Sequence, residues 1–63
     1  MTQKELAYFE DAIGHVGNII KILEESMKNV EDEKILSFMQ EELDSKNNLK
    51  NILLTLLKEK ANG

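Results

Sequence analysis

Apolar residues recur through the first half of the chain at spacings that alternate between three and four. The series comprises Leu6, Phe9, Ile13, Val16, Ile20, Leu23, Met27 and Val30. This is the a and d pattern of a helix that packs along one side. Ala12 and Ile19 extend the apolar surface at the neighbouring g positions, which is typical of a bundle helix. We therefore predict a helix over about residues 3–29.

A second apolar pattern follows the polar stretch KNVEDEK, residues 28 to 34. Asn29 or Asp32 can cap a new helix there, because a short side-chain oxygen accepts hydrogen bonds from the free N–H groups of a first turn. The predicted second helix runs from about residue 32 to about residue 60 and carries two neighbouring apolar stripes. The stripes are Leu36, Met39, Leu43, Leu53, Leu57 and Ile35, Phe38, Leu49, Ile52, Leu56. The polar run DSKNN, residues 44 to 48, interrupts both.

A turn at about residues 30–31 between two long helices predicts an antiparallel hairpin, so that residues 1–63 form one all-α domain. Its apolar faces are too broad for two helices to cover, and a chain this short buries only roughly 60% of its unfolded surface. We expect two hairpins to form a homodimeric four-helix bundle around a two-fold axis. The residues expected to build the core and hold the dimer are Leu6, Phe9, Ile13, Val16, Ile20, Leu23, Leu36, Phe38, Leu43, Leu53 and Leu57.

Halfway along the hairpin, two glycines and the single histidine lie level with the polar run of the second helix. We call this level the waist, and its candidate interaction residues are Tyr8, Gly14, His15, Gly17, Asp44, Lys46 and Asn47. Each glycine costs about 1 kcal/mol relative to alanine in a helix interior. The favoured interpretation is that Gly17 allows a neighbouring helix to approach while the polar waist sets the register. A binding site at the waist is the alternative, since bundles place sites there.

Composition excludes several function classes. The chain has 12 acidic residues against 8 basic ones, all lysine, which argues against a nucleic-acid partner. It has no Cys, and Ala12 stands where a Glu-x-x-His metal motif ending at His15 needs its glutamate. We therefore expect no metal and no cofactor. No nucleophile–base set or glycine-rich phosphate loop is present, so we predict no catalytic residues and no enzyme activity.

The opening run MTQKELAYFEDA is acidic and lacks the basic start and apolar core of a secretory signal. No apolar stretch approaches the ~20 residues that span a bilayer. We therefore expect a cytoplasmic protein without a membrane partner.

The runs TQKELAYFEDAI, NVEDEKILSFM and NILLTLL resemble segments of small spore-coat-associated, Coat F-type ferritin-like proteins of endospore-forming bacteria. The matching residues are Lys4, Glu5, Leu6, Tyr8, Asp11, Asp32 and Leu53 to Leu57. Such proteins often carry a glutamate in the first helix and a His-x-x-His in the second. Near those positions this chain has Val16, Lys46 and Leu49. The resemblance therefore implies a metal-free structural or interaction protein, linked to sporulation and associated with the spore.

A second, shorter run, MQEELD at residues 39 to 44, resembles the Ser-Gln-Glu-Leu-Asp motif of small two-helix phosphatases of sporulation phosphorelays, without its serine. Two functions therefore stay open. One is a structural or protein-interaction module that acts as a homodimer. The other is a small regulatory adaptor or phosphatase-like protein that docks onto a signalling partner through its second helix.

Overall fold

The computed structural model describes residues 1–62, over which the chain forms two helices packed side by side in antiparallel directions. Helix α1 spans Gln3–Met27 and helix α2 spans Glu33–Asn62. The predicted all-α hairpin is confirmed. Gly63, the last residue of the predicted domain, lies outside the described residues. The molecule is long and narrow, with extents of 46 × 15 × 11 Å.

Both ends of α1 are closed by local hydrogen bonds. At the start, the backbone N–H of Thr2 donates to Glu5 Oε1 over 2.8 Å, and the N–H of Glu5 donates to Thr2 Oγ1 over 3.1 Å. This reciprocal capping box satisfies two of the free N–H groups of the first turn. At the other end, the Asn29 N–H donates to the carbonyl oxygen of Ser26 over 3.0 Å. This bond spans three residues instead of the four of an α-helix. It ends the helix at Met27, two residues before the predicted end.

Asp32 caps α2. Its Oδ1 accepts hydrogen bonds from the backbone N–H groups of Lys34 and Ile35, over 2.9 and 3.0 Å. Of the two predicted caps, Asp32 is therefore the one that is used, while Asn29 belongs to the end of α1. The carboxylate of Glu33 in the first turn complements the positive end of the helix dipole.

The two helices meet along a narrow seam. Val16 and Ile20, each 8% exposed, are the buried residues among those whose burial is described. Ten of the eleven predicted core residues lie in the seam, where each is buried or half-buried. Phe38 does not lie in the seam. Its side chain is 63% exposed, because it stands one step around α2 from the residues that face α1.

Two lysines complete the seam on α2. The half-buried positions of this helix include Leu36, Met39, Leu43, Lys46, Lys50, Leu53 and Leu57, at spacings that alternate between three and four throughout. The polar run therefore changes the residue types on the packing side of α2 but not their spacing. The helix packs through the same side along its whole seam. A lysine fits such a position because its methylene stem can lie on apolar surface while its amine reaches water.

Candidate interaction face

A second apolar stripe runs beside the seam on each helix. On α1 it comprises Tyr8, Ala12, His15, Ile19 and Ile22, and on α2 it comprises Ile35, Phe38, Leu49, Ile52 and Leu56. All ten are exposed, with Tyr8, Ile22 and Phe38 each more than 60% exposed. Scattered single apolar residues are normal on a protein surface, whereas a contiguous stripe indicates a contact surface.

The two stripes lie on the same side of the hairpin. At the end opposite the turn, they border one open groove of about 670 Å³. The residues that line it are Met1, Glu5, Tyr8, Phe9, Ala12, Leu53, Leu56 and Lys60. Tyr8 and Ala12 of one stripe thus face Leu56 of the other across the seam residues Phe9 and Leu53. We call this side, with both stripes, the apolar face, and the groove the open-end groove.

The middle of the apolar face is polar. Lys46 Nζ donates to Glu42 Oε2 over 3.3 Å, with the two side chains 29% and 43% exposed. His15 on α1 and Ser45 on α2 are exposed nearby, at the waist. The lysine amine therefore leaves the seam toward the apolar face, where a carboxylate receives it.

The opposite side of the hairpin carries the glycines. A groove of about 450 Å³ is lined there by Ile13, Gly14, Gly17, Asn18, Ile20, Lys21, Glu24 and Lys50. A Cβ atom built on Gly14 or Gly17 would meet no described atom within 4 Å. Within the hairpin, α2 packs on the neighbouring seam residues and leaves Gly17 beside open space, so the close approach of a neighbouring helix at Gly17 stays a prediction for a second copy.

The waist residues do not form one cluster. Tyr8 and His15 are seven residues apart and lie on the same side of α1, whereas Gly17 is rotated from His15 by about 200°. On α2, Asp44 is exposed and its Oδ1 accepts a hydrogen bond from Gln40 Nε2 over 2.9 Å. Asn47 is also exposed. Lys46 alone of these α2 residues reaches the seam.

Glu42 and Lys50 were not among the predicted core or waist residues. The signal was present, because the spacing that begins at Leu36 reaches both lysines before it reaches Leu53. Glu42 follows as the residue one turn before Lys46, where an ion pair of this order stabilises a helix by a few tenths of a kcal/mol.

The backbone and side-chain hydrogen bonds of Thr2 hold the pKa of Glu5 below its usual range. In the described part of the chain, no group of three or more His, Cys, Asp or Glu residues is placed to hold a metal ion. Neither helix, over residues 1–62, is long and apolar enough to cross a membrane.

No protein-family model, curated protein or solved structure matches this chain.

Proposed function

We propose that the protein is a non-enzymatic structural or protein-interaction module that works as a homodimeric four-helix bundle. The apolar face carries this proposal. In the dimer, a second copy covers the stripes of both helices, and the outer faces remain for other contacts.

The exposed area of the chain supports a partner of this size. The hairpin exposes 5068 Å² of solvent-accessible surface. A compact monomer of 7.2 kDa exposes about 4100 Å² by the usual relation between area and mass. The difference of about 1000 Å² is close to the roughly 800 Å² that each partner loses in an interface of standard size. A second copy on the apolar face would remove this excess.

The small core supports the same conclusion. Among the residues whose burial is described, Val16 and Ile20 are the buried ones, so the seam alone takes few side chains out of water. Fully burying an aliphatic or aromatic side chain contributes about 1.5–3 kcal/mol. Covering Phe38, Ile52 and Leu56 would add several such contributions to a fold that small domains otherwise stabilise with disulfides, metals or oligomerisation.

The cellular setting rests on the resemblance to spore-coat-associated proteins. We propose a cytoplasmic protein that is associated with sporulation. The competing function is a regulatory adaptor or phosphatase-like protein that docks onto a signalling partner. Exposure of Phe38, Leu49 and Ile52 on α2 favours that alternative if the hairpin is a monomer in solution.

Light scattering behind a sizing column, over a dilution series, tests the dimer. We expect a mass near twice 7.2 kDa. Ile52→Glu places a charge in the apolar face and should reduce the mass to that of the monomer or raise the dissociation constant at least tenfold. Leu54→Glu is the matched control. Leu54 is similarly exposed, at 43% against 48% for Ile52, but lies on the other side of α2.

A mass of 7.2 kDa for the folded wild-type chain at all concentrations would overturn the homodimer and favour the adaptor. Equal loss of dimer in both variants would overturn the assignment of the interface to the apolar face.

A further inference from the structure

We infer that the two copies pack in antiparallel directions, with the turn of one hairpin at the open end of the other and the two-fold axis at the level of His15 and Ser45. This arrangement rests on the proposed homodimer and specifies it. It follows from the symmetry, shape and charge of the apolar face.

The apolar face is symmetric in sequence about the waist. Tyr8 and Ile22 each lie seven residues from His15, and Phe38 and Ile52 each lie seven residues from Ser45. Seven residues are close to two helical turns, so all of these side chains project from the same side of their helices. A two-fold axis through the waist places α1 against α1 and α2 against α2 in opposite directions. Tyr8 then meets Ile22 of the second copy, and Phe38 meets Ile52.

The two ends of the face differ in shape in a complementary way. Exposure alone does not distinguish the ends, since Ile22 and Phe38 near the turn are 64% and 63% exposed and Tyr8 beside the open-end groove is 67% exposed. Near the terminus, the small side chain of Ala12 helps to leave the open-end groove. Phe38 and Leu53 lie about 10 Å on either side of Ser45 at a rise of ~1.5 Å per residue. Antiparallel packing therefore sets the turn end of one copy, with Phe38, over the groove of the other, whereas parallel packing sets the two grooves against each other.

Charge favours the same arrangement. Residues 24–34, which form the turn and its flanks, hold five carboxylates and two lysines, a net charge of −3 out of −4 for the whole chain. Parallel packing would place two such turns side by side. Antiparallel packing separates them by nearly the 46 Å length of the molecule, which is several times the Debye length of about 8 Å at physiological salt.

Spin-label distances distinguish the two arrangements. The chain has no Cys, so Glu31→Cys in the exposed turn introduces a single labelling site in each copy. We expect a label-to-label distance of about 40 Å or more, set by the 46 Å length. A distance below about 25 Å, the width of two packed helix layers, would show that the turns are neighbours and would overturn the antiparallel arrangement.

Asn48→Cys is the control. Asn48 is exposed on the outer side of α2 near the waist, where antiparallel packing, with α2 on α2, places the two labels roughly 15 Å apart and parallel packing, with α2 on α1, places them roughly 25 Å apart, so that either dimer gives a measurable distance. A measured Asn48 distance with a long Glu31 distance supports the inference. A measurable Asn48 distance together with a short Glu31 distance would support the dimer but overturn its antiparallel arrangement. No distance at either site, together with a monomer mass, overturns the proposed function and this inference with it.

Discussion

Lys46 lies in the seam between the two helices, yet its amine turns out of the seam to Glu42, 3.3 Å away on the apolar face. One side chain thus belongs to two surfaces, since it is half-buried at a seam position and its amine lies on the apolar face. A polar group at a seam position lowers stability relative to an apolar one, but it can specify register and oligomeric state. We interpret the pair as such a register element at the centre of the face.

Replacing this lysine tests that interpretation. Lys46→Leu should raise the free energy of unfolding by about 1 kcal/mol, less than the 1.5–3 kcal/mol for full burial because the lysine stem already covers part of the site. The measurement is urea unfolding followed by circular dichroism at fixed protein concentration. Lys58→Leu, at an exposed position of α2, should change stability little. A loss of stability in Lys46→Leu would show that the ion pair outweighs apolar packing there.

Filling the glycine groove should stabilise the fold. Gly14→Ala and Gly17→Ala each remove the helix cost of glycine, and the added methyl group meets no described atom within 4 Å. We expect about 0.5–1 kcal/mol per substitution, measured as a higher thermal midpoint. The molar mass in solution should not change. A weaker dimer in Gly17→Ala would instead show that a second copy packs on the glycine side rather than on the apolar face.

The seam should be intolerant of charge. Ile20 is 8% exposed, and Ile20→Asp would place an unpaired carboxylate among apolar side chains. We expect the loss of both the helical circular dichroism signal and the dimer. Asn18→Asp introduces the same group at an exposed position of α1 and should leave both unchanged. A cooperative melt of Ile20→Asp with an unchanged midpoint would contradict the placement of Ile20 between the helices.

The first turn of α1 should depend on pH. Hydrogen bonds from Thr2 lower the pKa of Glu5, so the folded state binds a proton at this site less readily than the unfolded state does. The stabilisation is therefore complete at neutral pH and disappears as the pH falls through the lowered folded-state pKa. Amide chemical shifts of Thr2 and Glu5 should report this transition. Glu5→Gln keeps an acceptor oxygen and should remove the pH dependence; its persistence would assign the transition to another group.

The two helices and the packing side of α1 follow from the order of residues along the chain, whereas two stripes stayed open on α2. The alternating spacing from Leu6 to Val30 is a property of the helix period, and the cap at Asp32 needs only a short side-chain oxygen followed by free N–H groups. Such features depend on neighbours in sequence, so they can be predicted without knowledge of the fold.

Which residues of α1 and α2 share a face depends on how the two helices pack against each other. The hairpin predicts that Gly17 and Lys46 lie at the same level along its length. That they lie on different sides depends on how α2 is rotated against α1. That rotation leaves Gly17 beside open space and Phe38 exposed, and it joins the stripes of Tyr8 and Leu56 into one surface. The physical reason is that helix periodicity fixes angles within one helix, whereas the angle between two helices is set by the side chains that pack between them.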